Sequence, residues 1–101
     1  MAMITLDPGP QEKYKHYRAS INDTTYPATA QFTLTTFRAR SFEFILESTT
    51  RTASFSFDGT NPHLVMDGTL IRAISRDMLH VDSIWIIVDS SSATIQINAW
   101  A

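Results

Sequence analysis

Apolar side chains recur at every second position through most of this chain, the spacing that sets one face of a strand against a core. The clearest case is residues 83–88 (SIWIIV) and 93–100 (ATIQINAW), β-branched and aromatic, with the polar turn formers 89–92 (DSSS) between them. Read as a β-hairpin with a symmetric loop, they set Val88 opposite Ala93, Ile86 opposite Ile95 and Ile84 opposite Ile97. That face is aliphatic and belongs against a core. The other face pairs Ile87 with Thr94, Trp85 with Gln96 and Val81 with Trp100, which is too apolar for a surface that meets only water.

Residues 42–47 (FEFILE) and 52–57 (TASFSF) predict a second hairpin around 48–51, with Leu46 opposite Ala53, Phe44 opposite Phe55 and Phe42 opposite Phe57. Its phenylalanine face is the core face. Residues 58–62 (DGTNP) then break the sheet. A third, shorter hairpin follows from 64–66 (LVM), the two-residue turn signal Asp67-Gly68 and 69–74 (TLIRAI). Earlier, Phe32 and Leu34 face one way and Thr33, Thr35 and Phe37 the other, a strand that ends at 38–40. About seven strands with turn signals at short intervals and no helix pattern between them predict an all-β fold. The expected architecture is a single antiparallel β-sandwich, jelly-roll or immunoglobulin-like.

The first thirty residues read differently. Met3 and Thr5 alternate with Ile4 and Leu6 until 7–10 (DPGP) stops the pattern, and 19–30 is polar with turn signals at Asn22-Asp23 and Tyr26-Pro27. In between, 11–18 (QEKYKHYR) spaces Tyr14 and Tyr17 as a turn or two of helix would, among Lys13, Lys15, His16 and Arg18. The division expected is an N-terminal arm or linker over 1–30 and the sandwich domain over 31–101.

Composition narrows the function. The 101 residues are 44% apolar, enough for one core and too few for two. A formal net charge of −2 and a pI of about 5.8 give no global attraction to phosphate backbones or anionic membranes, although Tyr14, Tyr17 and the cations around them make a small basic aromatic patch. There is no cysteine, hence no disulfide framework and no thiolate metal site. No apolar run approaches the roughly 20 residues of a membrane span, and the first residues lack a basic segment ahead of an apolar one. Synthesis and retention in a cytoplasm is the expectation.

Candidate chemistry is sparse. Among His16, His63 and His80 only His80 has a carboxylate at strand spacing, Asp82, and a surface His–Asp pair explains it better than a metal ligand set. Asp58, Asn61, Asp67 and Asp77 fall in or near loops, where Asx turns account for them without calcium. Glu43 and Glu47 alternate outward from the phenylalanine face as solvated charges. No nucleophile elbow or phosphate loop occurs, so the expectation is a protein without catalytic residues, cofactor or metal. Tyr14, Tyr17, Trp85, Ile87 and Trp100 remain as candidate protein-interface residues, because aromatic anchors dominate such interfaces.

The succession 53–60 (ASFSFDGT), a loop with a hydrophobic strand, 83–88 (SIWIIV), a Ser-rich turn and the closing 93–100 (ATIQINAW) resembles small β-sandwich structural proteins of tailed bacteriophage virions. The resemblance covers residues 31–101 and lies in the pattern of strands more than in a diagnostic motif. It implies a non-enzymatic virion component, made in the host cytoplasm, that forms a homo-oligomer such as a trimer and binds other virion proteins. A capsid decoration or cement protein is the first expectation, and a head-to-tail or tail adaptor the second. Neither nucleic acid, a membrane nor a small-molecule ligand is expected as partner. The competing class is a lectin-like carbohydrate-binding module in which Trp85 or Trp100 stacks on a sugar ring.

Overall fold

The structure, a computed structural model, describes residues 14–34, 38–78, 81–89 and 92–101. The described residues form eight strands: β1 (Tyr14–Ile21), β2 (Phe32–Thr33), β3 (Ser41–Leu46), β4 (Thr52–Ser56), β5 (Leu64–Asp67), β6 (Ala73–Asp77), β7 (Ser83–Val88) and β8 (Ala93–Trp100). They make two four-stranded sheets, ordered β1-β8-β3-β6 and β2-β7-β4-β5, and every pairing is antiparallel. The chain is therefore an all-β sandwich.

Its topology follows from one operation. β1 pairs with β8, β2 with β7, β3 with β6 and β4 with β5, so the chain behaves as one long hairpin whose tip is the β4–β5 loop. Rolling that hairpin brings β8 beside β3 and β7 beside β4, which completes the two sheets. This is the jelly roll, and it excludes the immunoglobulin-like alternative.

The three hairpins predicted from the sequence are corrected. β7 and β8 lie in different sheets, as do β3 and β4, and β5 and β6. Only β4 and β5 are both consecutive and paired, through the 58–62 segment expected to break the sheet. The Asp67-Gly68 turn fails for a visible reason: a type I′ hairpin needs positive φ at both central residues, and among the described glycines Gly59 has one and Gly68 does not. Gly68 serves close approach instead, since a Cβ there would stand 2.1 Å from the Ser48 carbonyl oxygen.

The faces were nonetheless assigned correctly. Phe42, Phe44, Leu46, Ala53, Phe55, Ile84, Ile86, Val88, Ile95 and Ile97 are all buried, and Phe32 and Leu34 join them. Phe44 sits at the centre, with ring centroids of Phe55 at 4.9 Å, Phe42 at 6.2 Å and Phe57 at 6.4 Å. Phe44 and Phe55, expected to meet across a hairpin, meet across the two layers.

The boundary at residue 31 is also corrected. β1 pairs with β8 from Tyr14↔Trp100 to Ile21↔Ala93 and contributes Ile21 to the core, so residues 14–21 belong to the sandwich and are strand, not helix. Lys15 and Tyr17 point inward from this edge: the Lys15 ammonium bonds the Thr33 carbonyl and lies 5.2 Å from the centroid of Phe32, and Tyr17 meets the same ring edge-on at 5.8 Å. Residues 22–31 close the free side of β7. Gln31 exchanges two hydrogen bonds with the Ile86 backbone (2.7 and 2.8 Å), and the Val88 amide donates to the Asp23 carbonyl at 2.8 Å. The expectations for residues 1–13, 35–37 and His80 lie outside the described residues.

Candidate functional site

Two surfaces stand out, one on each sheet. On the outer face of β1-β8-β3-β6 the pairing lays side chains in rows across the strands. Tyr14, Trp100, Ser41 and Asp77 make one row, His16, Asn98, Glu43 and Ser75 the next, and Arg18, Gln96, Ile45 and Ala73 the third.

In the first row Tyr14 is 51% and Trp100 39% exposed, with ring centroids 5.5 Å apart and planes inclined by 38°. Trp100 is held on both sides, by its pairing with Tyr14 and by the Arg40 amide, which donates to its carbonyl at 2.7 Å. In the next row lies Asn98, a polar side chain on an outer face yet only 7% exposed. Its Oδ1 accepts from the Tyr14 hydroxyl at 2.8 Å and lies 2.6 Å from His16 Nδ1, while its Nδ2 donates to Glu43 Oε1 at 3.1 Å. An amide oxygen only accepts, so His16 carries a proton on Nδ1. One buried amide therefore orients a tyrosine, a histidine and a carboxylate.

In the third row Arg18 binds Glu47 through Nε–Oε2 (2.8 Å) and Nη2–Oε1 (3.0 Å), and Gln96 adds a bond to Oε2 at 2.7 Å. The Arg18 hydrogen bonds hold the Glu47 carboxyl below its ordinary range and raise the Arg18 guanidinium. The pair is exposed and screened.

The second surface is at the β5 end of the other sheet. Val65 is 54% exposed and lies across Ser54 from the half-buried Ile87. The following turn presents Leu70, 81% exposed, and Ile71, 51% exposed. It is firmly built: the Leu70 and Ile71 amides donate to the Asp67 carbonyl, the Thr69 amide and hydroxyl donate to Asp67 Oδ1, and the Gly68 amide donates to the Arg51 carbonyl. Both Thr69 bonds pull the Asp67 carboxyl below the ordinary value.

The five interface candidates are thus split. Tyr14 and Trp100 touch. Trp85 and Ile87 lie on the opposite outer face, and Tyr17 points between the sheets. The apolar face that a β7–β8 hairpin would have carried does not exist. Trp85 is half-buried beside the β4–β5 loop, where a Cβ at Gly59 (φ 81°) would stand 2.9 Å from its indole. That loop is an Asx turn: Asp58 Oδ1 accepts from the amides of Thr60 (2.8 Å) and Asn61 (2.9 Å) and from the hydroxyl of Ser56 (2.9 Å). The backbone bonds come first among the reasons that the Asp58 carboxyl is held far below the usual carboxylate range. Nearby, burial and then the Asp58 charge raise the Tyr26 hydroxyl, which has no hydrogen-bond partner among the described residues.

His63 stacks on Phe57 (centroids 5.1 Å, 4°), accepts from the Phe57 amide through Nδ1 at 3.0 Å and lies 3.8 Å from Asp58. It braces the loop. Among the described residues no three His, Asp or Glu side chains gather as a metal site. Sequence reasoning missed Asn98, Val65, Leu70 and Ile71 as surface determinants. For Leu70 and Ile71 a signal was present, because consecutive apolar residues after Asp-Gly cannot both face inward from a strand. No protein-family model and no curated protein matches this chain.

Proposed function

We propose that this protein is a non-enzymatic structural component of a tailed-phage virion, a capsid decoration protein that self-associates and docks on neighbouring virion proteins through the β5–β6 turn. The observation that carries the docking half is Leu70 and Ile71, exposed on a turn that its own hydrogen bonds hold still. A rigid turn that offers aliphatic side chains to water gains nothing in the monomer, whereas it gives a partner an anchor with little ordering cost. Val65 and Ile87 extend the patch along the sheet.

The virion half rests on the strand-pattern resemblance and on an analogy of fold, since the jelly roll recurs in viral capsid domains and also in lectins. Antibody labelling of purified virions from the source phage tests it. Label spread over the head supports decoration, label confined to the neck or tail moves the protein to the adaptor role, and virions without label overturn the proposal.

A further inference from the structure

We propose that the outer face of the β1-β8-β3-β6 sheet is a saccharide-binding site for neutral sugars, with a pyranose ring stacked on Trp100 and its hydroxyls bonded to Glu43 and His16. The inference is independent of the virion reading and concerns the sheet opposite the Leu70–Ile71 patch.

A pyranose chair has an apolar face of C–H groups and a rim of hydroxyls, so its receptor needs a flat ring and oriented hydrogen-bonding groups side by side. The first two rows supply both. Trp100 is exposed and braced by Tyr14. One row on, Glu43 and His16 flank Asn98, and rows on a strand are separated by two residues, roughly 7 Å. That separation lets one sugar ring cover the indole while its far hydroxyls reach the second row.

The Asn98 amide makes the site specific. Its bonds to Tyr14, His16 and Glu43 fix all three before any ligand arrives, so little side-chain ordering remains to oppose binding. The atoms left over are the second Glu43 oxygen, an acceptor, and His16 Nε2, both able to bond sugar hydroxyls. A protein anchor would look different, because interface cores are depleted of charge and dry, whereas here Glu43 and Asp77 stand within a row of the indole.

Charge selects the sugar class. Among the described residues neither Glu43 nor Asp77 is in an ion pair, and the nearest outward-facing cation of the third row, Arg18, is engaged by Glu47. Glu43, one row from the indole, and Asp77, two strands along its row and bonded by the Ser41 hydroxyl at 2.9 Å, disfavour sialic and uronic acids and accept from neutral hydroxyls. Neutral hexoses and N-acetylhexosamines are the expected ligands.

The test is a glycan array with neutral and sialylated members, followed by tryptophan-fluorescence titration in a Trp85→Phe background with galactose, glucose, N-acetylglucosamine and their β1,4-linked dimers. The expected result is binding confined to neutral glycans. Trp100→Ala and Glu43→Gln should each weaken it by about tenfold or more, Glu47→Gln should leave it unchanged, and Leu70→Asp should not affect it. Circular dichroism melts of each variant confirm that the sandwich is intact. An array without neutral binders, binding that survives Trp100→Ala in a folded protein, or a Trp100→Ala variant that loses self-association instead would each overturn the proposal, the last by giving this face to a protein partner.

Discussion

β7 and β8 are two versions of one strand. Each sends alternate aliphatic side chains into the core, Ile84, Ile86 and Val88 from one and Ile95, Ile97 and Ala99 from the other, and each carries a tryptophan on its outer face. Their surroundings differ. Trp85 is flanked by the β4–β5 loop of its own chain, pressed on Gly59, and among the described residues Trp100 stands between Tyr14 and Ser41 in its row, 39% exposed. The comparison teaches that the inner face of a strand fixes whether it folds, and the loops laid over its outer face decide how far a tryptophan stands open to solvent.

The strongest way to break the comparison is to attack the shared half. Ile86→Asp and Ile95→Asp each put an unpaired carboxylate where exposure is 0%, and both should unfold the domain, a loss of more than about 4 kcal/mol. Equilibrium urea unfolding measures it; a folded Ile95→Asp protein beside an unfolded Ile86→Asp one would show that the two inner faces are not equivalent.

Gly59→Val acts on the covered side alone. It combines a positive φ with a Cβ pushed into the Trp85 indole, and should cost about 2 kcal/mol, read as a lower urea midpoint with unchanged slope. On the open side, Asn98→Ala removes the acceptor of Tyr14 and the donor to Glu43. About 1 kcal/mol should be lost, with more rotational freedom at Tyr14 by NMR relaxation.

Acid should separate the two sides further. The folded Asp58 carboxyl lies below its unfolded value of about 3.9, so it stabilises the protein above that pH, and the contribution fades as pH falls through the folded value. Melting temperatures below about pH 4 should therefore drop more steeply for the parent than for Asp58→Asn. The smallest effect is optical: acrylamide should quench Trp100 more than Trp85, as single-tryptophan variants would show.

The inner faces were legible in the sequence because burial imposes a period of two wherever a strand covers a core. Strand pairing was not. Phe44 and Phe55 are in contact whether they sit on neighbouring strands of one sheet or on facing strands of two, and the alternation along 42–46 and 53–57 is the same in both cases. β1 escaped because Lys15 occupies an inward position, where it uses its stem and a cation–π contact, and so hides the alternation. Of the site, Tyr14 and Trp100 were visible as exposed-aromatic candidates, but their contact depends on a pairing between the first and last described strands. Asn98 looked like an ordinary outward polar residue because its burial comes from the neighbours that this pairing supplies.

The rolled hairpin also sets an order in time. β8 is the partner of both β1 and β3, so the β1-β8-β3-β6 sheet cannot close while the ribosome is still adding residues 93–100. Only β4 and β5, joined by their short loop, form a pair as soon as they emerge. Until β8 arrives, β1 has no pairing partner among the described strands and the 83–88 segment (SIWIIV) is without the completed opposite sheet. Slow translation of the codons for residues 93–100 would therefore lengthen the interval in which that segment can pair with its neighbours on the same polysome.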